Sequence, residues 1–142
     1  MRQAQDIFAI DTRGRGFVDI TDRAAAFVAG AGLATGLATG LLTLFCRHTS
    51  ASLVIQENAD PAVLRDLMAW LERIAPEGPH YEHDDEGPDD MPAHLRSVLT
   101  QTSLTIPIVG GRLALGTWQA IYLIEHRRRP HRREIVAHAM GE

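Results

Sequence analysis

The sequence predicts an α+β fold, a single compact domain over residues 1–142 with mixed, mostly antiparallel β-sheets and about three helices. Three observations favour this class. Short segments of alternating apolar and polar residues recur between glycine- and proline-containing turns. One segment, beginning at Pro61, has the periodicity of an amphipathic helix. The pair Gly110-Gly111 separates two strand-like segments, which is typical of an antiparallel hairpin.

The chain begins with a predicted strand over residues 3–11. A turn follows over 12–16, where two glycines alternate with arginines, and a short second strand begins at 17–18. These features predict a turn between two strands near the N-terminus.

The first helix is predicted after this turn. Thr21 is a suitable N-cap, and an alanine-rich run continues over residues 24–31. Gly30 and Gly32 are expected to end the helix.

The segment 41–46 is a strongly apolar predicted strand. By the two-residue period of a strand, His48 lies on the face of Leu42, Leu44 and Cys46. We therefore expect a partly buried His48 that either hydrogen-bonds within the core or serves as a ligand.

A second strand is predicted over 50–55, close after the first. Asp60 is expected to cap the next helix, with Pro61 at its first position and its end near residues 75–76. Its apolar residues repeat at helical spacing. This is the clearest amphipathic helix in the chain.

Residues 81–94 form an acidic segment that also contains His83 and His94. It shows no apolar periodicity, which predicts a loop shaped by glycine and proline. Pro92 is expected to begin a short helix that runs to about residue 100, with His94 in its first turn and therefore held neutral by the helix dipole. The segment is either a solvated acidic loop or part of a functional site.

The second half is predicted to be mostly antiparallel strands. They cover residues 103–109, 112–115, 118–126 and 134–139, with bends at Gly110-Gly111 and Gly116. Glu125 shares a strand face with Ile121 and Leu123, so its carboxylate needs a hydrogen-bond donor.

Composition excludes several classes of protein. The chain is 45% hydrophobic and 23% charged, with a net charge of −4 and a single cysteine, Cys46, which excludes an internal disulfide. No apolar run is long enough for a membrane span, and the N-terminus lacks a signal-peptide pattern, so we expect a cytoplasmic protein with no membrane partner. The arginines of 127–133 lack interleaved aromatic residues, which argues against nucleic acid and leaves phosphate binding, subunit pairing or a solvated turn.

Several motifs together resemble the YjbQ-like family, also called the secondary thiamine-phosphate synthase family. They are His-Thr-Ser-Ala-Ser at 48–52, Glu-Asn-Ala-Asp-Pro at 57–61, the acidic segment to His94, Leu-Gly-Thr-Trp-Gln at 115–119, Glu-His-Arg at 125–127 and the terminal Gly-Glu at 141–142. The resemblance covers the whole chain. The residues Asp84 and Asp85 are more acidic than this resemblance leads us to expect.

The resemblance implies a homotrimer with closed or nearly closed mixed sheets and a weak thiamine-phosphate synthase activity. That reaction joins a pyrimidine pyrophosphate to a thiazole phosphate, and its leaving group needs a divalent cation or arginines. The alternative is a non-catalytic trimeric protein that binds a phosphorylated metabolite or a metal. A third possibility is that the acids and histidines mainly hold the trimer together.

The candidate site residues follow from this chemistry. His48, His83 and His94 are candidate ligands of a zinc-like metal, whereas carboxylates such as Asp89 and Asp90 suit magnesium. No organic cofactor is expected. Catalytic roles are predicted for Asp89, Asp90 and His94, and supporting roles behind the site for Glu125 and His126. The predicted contacts to a phosphorylated substrate are Thr49, Ser50, Asn58, Gln119 and Arg127.

Overall fold

The computed structural model describes residues 1–30 and 36–142. Within these ranges it contains eight strands and three helices, and the predicted α+β class is confirmed. Their bounds are β1 (Arg2–Asp11), β2 (Gly16–Asp19), α1 (Thr21–Val28), β3 (Thr39–Cys46), β4 (Ala51–Glu57), α2 (Pro61–Ile74), α3 (Asp90–Leu99), β5 (Ser103–Val109), β6 (Arg112–Leu113), β7 (Gln119–Glu125) and β8 (Arg132–Gly141).

The strands form two sheets. One has five strands in the order β1-β8-β3-β5-β6, and the other has three in the order β2-β7-β4. Each pairing within both sheets is antiparallel. Within residues 1–30 and 36–142 of the single chain, the closed or nearly closed mixed sheets that the family resemblance implies are therefore not seen, since both strand orders are open.

The hydrophobic core joins both sheets and α1. Alternate side chains of β3 and β8, such as Leu44 and Ile135, meet Leu123 of β7 and Phe27 of α1 in one cluster. Because strand side chains alternate between faces, these positions bury one face of each sheet. The same alternation sends Arg133 of β8 to the inner face, where it is buried.

Local sequence signals explain α2 and the β5–β6 hairpin as predicted. The Asp60 carboxylate accepts a hydrogen bond from the Ala62 amide at 2.9 Å, and Pro61 occupies the first helical position. Gly110 and Gly111 both have positive φ, 57° and 78°, as a two-residue hairpin turn requires.

The predicted start of α1 is wrong by one residue. Thr21 is the first helical residue rather than the cap, and its hydroxyl oxygen accepts a hydrogen bond from the Ile121 amide of β7 at 2.8 Å. Asp19 accepts from the Thr21 amide, which anchors the start of the helix. The helix ends at Val28, before Gly30, and the predicted continuation through residues 31 and 32 lies outside the described residues.

Helix α3 begins at Asp90, two residues before the predicted start. Pro92 is tolerated there because amides in the first turn have no helical partner. His94 consequently lies one turn into the helix, directly above Asp90. Towards its end α3 exposes 81% of Val98 and buries Arg96, which donates to the Ala75 carbonyl at 2.9 Å.

The strands of the second half differ from the prediction mainly in length. β6 is shorter than predicted, and β8 begins at Arg132 and runs to Gly141, so part of the arginine-rich segment belongs to the sheet. No helix in residues 1–30 or 36–142 is long and apolar enough to cross a membrane.

Candidate functional site

Three side chains converge where the acidic loop meets α3. One ligand atom from each of His83, Asp90 and His94 lies within 4.8 Å of the other two. The Asp90 Oδ2 atom is 2.6 Å from His83 Nε2 and 3.1 Å from His94 Nε2. Two imidazoles and a carboxylate that face a common point form a suitable ligand set for a divalent transition metal.

The tautomer of His94 supports this interpretation. Its Nδ1 lies 2.9 Å from the Thr49 carbonyl oxygen, which can only accept a hydrogen bond. The Nδ1 atom must therefore carry a proton, which leaves Nε2, directed at Asp90, as the ring nitrogen that could bind a metal. This is the orientation that a metal-binding histidine adopts when its other nitrogen donates to a carbonyl.

Arg127 fixes the carboxylates of the loop. Its Nη1 donates to Asp90 Oδ1 at 2.7 Å and its Nε donates to Asp89 Oδ2 at 3.0 Å. A further bond reaches the Glu86 carbonyl. Asp90 therefore keeps Oδ2 directed at the histidines, while Asp89 also accepts from the Arg128 amide. The guanidinium predicted to bind substrate phosphate is thus occupied within the chain.

The pKa values of the loop reflect these contacts. Burial would raise the pKa of Asp90, but hydrogen bonding to His83 and the charges of His94 and Arg127 lower it below its usual value. Asp89 is shifted in the same direction, since Arg127 and the Arg128 amide outweigh its burial. The hydrogen bond to Asp90 raises the pKa of His83. Both aspartates are thus anionic at neutral pH.

His48 does not join this group, which corrects the predicted three-histidine site. Its Nε2 accepts a hydrogen bond from the Glu134 amide of β8 at 2.8 Å. This nitrogen is therefore unavailable to a metal, and His48 is not among the side chains whose ligand atoms lie within 4.8 Å of one another. The structure therefore brings together two of the three predicted histidines, and Asp90 takes the third position.

Thr49 and Ser50, two predicted substrate contacts, line a cavity of about 760 Å³ between the end of β3 and α3. His48 and His94 line the same cavity. The other two predicted contacts, Asn58 and Gln119, lie at the opposite end of the β4–β7 pair, where Glu57 faces Gln119 while Ala51 faces Glu125. Within one chain, they are separated from the loop by the length of these strands.

Glu125 is wholly buried at the end of β7, beneath the acidic loop. It accepts hydrogen bonds from Arg133 on both carboxylate oxygens and from the Thr12 hydroxyl at 2.7 Å. The Arg127 amide donates to it at 3.2 Å. Burial raises the pKa of Glu125, but these donors lower it below the usual value. Glu125 thus holds the backbone of Arg127, whose side chain binds the acidic loop, against the core.

His126 is also fully buried, and its Nε2 lies 2.9 Å from the Ser52 hydroxyl. Burial, together with the charge of Arg96, lowers its pKa to about 3. His126 is therefore neutral at physiological pH and packs behind the site.

Sequence reasoning missed Arg133 and Thr12 as the partners of Glu125. Arg133, Ile135 and Ala137 are spaced two residues apart along β8 and therefore share one face of the strand. This spacing is the signal that places Arg133 on the buried face. The sequence predicts a turn at Thr12 and contains no signal for the hydrogen bond between its hydroxyl and Glu125.

Comparisons with known proteins agree with the predicted family. Residues 6–142 match the family described as "UPF0047 protein YjbQ-like". A UPF0047 protein of Synechocystis is 54% identical over 99% of this chain and 94% of its own length. The UPF0047 protein YjbQ of Salmonella typhimurium is 43% identical over 97% of this chain and 98% of its own.

Solved structures show the same fold. A conserved hypothetical protein of Thermus thermophilus matches with a TM-score of 0.79 and 37% identity, covering 92% of this chain and 97% of that one. A YbjQ-like protein of unknown function from Sulfolobus solfataricus matches in fold with a TM-score of 0.84 at 23% identity, over 99% of this chain and all of its own. Sequence and fold agree over nearly the full length, and the chain therefore belongs to the YjbQ-like UPF0047 protein family.

Proposed function

We propose that the protein is a metal-dependent enzyme that acts on a phosphorylated small molecule. The observation that carries this proposal is the convergence of His83, Asp90 and His94, whose ligand atoms lie within 4.8 Å of one another. Three protein ligands leave coordination positions for substrate oxygen, as in catalytic rather than structural metal sites.

The ligand set favours a transition metal over magnesium. Magnesium prefers oxygen ligands, yet the Asp89 carboxylate already accepts hydrogen bonds from Arg127 and from the Arg128 amide. Two imidazole nitrogens and one carboxylate oxygen suit zinc, iron or manganese. A bound cation would stabilise negative charge that develops on a leaving oxygen.

Within this class we propose thiamine-phosphate synthesis as the reaction. The support is the family resemblance together with a cation site able to neutralise a departing pyrophosphate. The protein would bind the pyrimidine pyrophosphate and the thiazole phosphate in the cavity beside His94.

The reaction can be tested by following thiamine phosphate formation from the two substrates, with and without added zinc or manganese. We expect slow, metal-dependent product formation by the wild type and none by the Asp90→Asn variant. The Trp70→Ala variant is the control, since Trp70 lies on α2 and outside the site. Binding of both substrates without turnover would contradict the enzyme proposal and support the non-catalytic binding protein.

We also propose that the functional unit is a homotrimer, assembled through the outer face of the five-stranded sheet. Register places Ile7, Val136 and Phe45 side by side across three strands. A second apolar row contains Met140, Leu41 and Pro107. Phe45 and Leu41 are about half exposed, and such an uncovered apolar sheet face is typical of a subunit interface.

Light scattering at micromolar concentration is expected to give three times the chain mass of 15.6 kDa. A charge at the half-exposed Phe45, in the row with Val136 and Ile7, should prevent assembly, so Phe45→Glu is expected to be monomeric. Trp70→Glu, at a similarly exposed tryptophan on α2, should remain trimeric. A monomeric wild type, or a Phe45→Glu variant that still forms trimers, would contradict this interface.

A further inference from the structure

The cavity beside His94 has an unusual charge pattern for an acidic chain. The protein carries 18 aspartates and glutamates and a net charge of −4. None of the residues that line this cavity of about 760 Å³ in the described structure is acidic. The polar part of its lining consists of two histidines, several hydroxyl residues and two arginines, Arg47 and Arg133, which pair with Glu134 and Glu125 outside the lining.

His48 supplies a fixed hydrogen-bond donor to this cavity. Its Nε2 accepts from the Glu134 amide at 2.8 Å, so Nε2 carries no proton. The proton of the neutral ring therefore resides on Nδ1, which has no partner within the described residues and is not a buried atom. Burial, with the charge of Arg133 next, lowers the pKa of His48, which keeps the ring in this neutral form.

The neighbouring hydroxyls are also available as donors. Ser50 Oγ accepts a hydrogen bond from Arg133 Nη2 at 3.0 Å, which leaves its own proton free to donate. Thr49 is exposed, and its hydroxyl makes no hydrogen bond within the described structure. A cavity that offers protons on all these groups and no carboxylate favours an oxyanion over a cation.

We propose that this cavity binds a phosphate or diphosphate group and that His48 donates its Nδ1 proton to that group. The inference deepens the proposed function, because the His94 ring both lines the cavity and belongs to the metal-ligand group. A cation held by His83, Asp90 and His94 would contact one side of the bound oxyanion. His48 and the hydroxyls of Thr49 and Ser50 would donate hydrogen bonds to its other side. His48 is thus a substrate-binding residue rather than a metal ligand.

Two amide substitutions separate the roles of the two ring nitrogens. Glutamine at position 48 can place its carbonyl oxygen near the Nε2 position and accept from the Glu134 amide, but it has no donor near Nδ1. Asparagine can place its amide nitrogen near Nδ1 but leaves the Glu134 amide without its partner. We therefore expect His48→Gln to lose oxyanion affinity with little loss of stability, and His48→Asn to show the reverse.

The test uses inorganic pyrophosphate as the probe, with the zinc-loaded protein and isothermal titration calorimetry. His48→Gln is expected to bind about tenfold more weakly than the wild type, as for loss of one hydrogen bond to a charged group. His48→Asn is expected to bind pyrophosphate with an affinity within about threefold of the wild type, because its amide nitrogen retains the donor near the Nδ1 position. His80→Asn is the control, since His80 is exposed and does not line the cavity.

Nitrogen-15 NMR of the free protein gives an independent readout. We expect a protonated Nδ1 and an unprotonated Nε2 for His48, with the Nδ1 resonance shifting when pyrophosphate is added. A protonated Nε2, failure of the wild type to bind pyrophosphate, or equal affinity of His48→Gln and wild type would overturn the inference. Metal content is measured on the same samples. Absent metal with His48-dependent pyrophosphate binding would refute the proposed function and leave this inference standing.

Discussion

Replacing Asp90 by asparagine is expected to weaken divalent-cation affinity by about 100-fold or more. Substitutions of residues that only support a ligand already cost about 10–100-fold, and Asp90 is itself a ligand candidate. Its Oδ2 lies close to both histidines, so the amide would place a neutral group where the anion balances the cation. Zinc affinity can be measured by competition with a chelating dye.

Asp89→Asn is the matched control for this change. Asp89 neighbours Asp90, is also buried and also bonds to Arg127, yet it lies outside the metal-ligand group. We expect this variant to lose some stability and to keep zinc affinity within about tenfold of the wild type, as for a supporting residue. Equal zinc affinities of the two variants would contradict the assignment of Asp90 as a ligand.

Glu125→Gln is expected to lower the free energy of unfolding by about 3 kcal/mol, the cost of breaking a buried ion pair. Both Glu125 oxygens accept from Arg133, and Thr12 and the Arg127 amide add further bonds. Glutamine has one oxygen, so its amide group would face a donor and leave Arg133 as an unbalanced buried charge. Urea denaturation followed by circular dichroism measures the change.

The matched control is Glu57→Gln on β4, a partly exposed carboxylate in no ion pair of the described structure. It should change stability by less than about 0.5 kcal/mol, as surface substitutions usually do. Since the folded-state pKa of Glu125 is lowered, its contribution is complete above the unfolded-state pKa and is lost as the pH falls through the folded-state value. A Glu125→Gln variant as stable as the control would contradict the structural role.

Elements with local signals were predictable from the sequence. The capping of α2 by Asp60 and the Gly110-Gly111 hairpin depend on residues close together in the chain, and both are confirmed. The start of α3 was not, because Pro92 fits any of the first helical positions. Because the helix starts at Asp90, Asp90 and His94 lie one turn apart on the same helix face, and a predicted start at Pro92 leaves Asp90 outside the helix.

Contacts between distant segments were harder to foresee. The partner of His48 is a backbone amide 86 positions away on β8, and no side-chain pattern signals a backbone donor. Hydrophobic patterning likewise fails on α3, where the charged Arg96 is buried and the apolar Val98 is exposed. Arg96 is buried because it donates a hydrogen bond to the Ala75 carbonyl at the end of α2, a contact between separate segments. The sequence therefore indicated the histidines and acids of the site but not which of them converge.

The central claim is that His83, Asp90 and His94 bind one divalent cation and His48 does not. Its most direct test is the metal content per chain, by inductively coupled plasma mass spectrometry, of proteins purified without metal-affinity resin and then equilibrated with zinc. We predict one zinc per chain in the wild type and in His48→Ala, and less than about a tenth of that in folded His83→Ala and His94→Ala, since each lacks a ligand. A wild type that retains no zinc, or a His48→Ala variant that loses zinc as completely as the other two, would contradict the account.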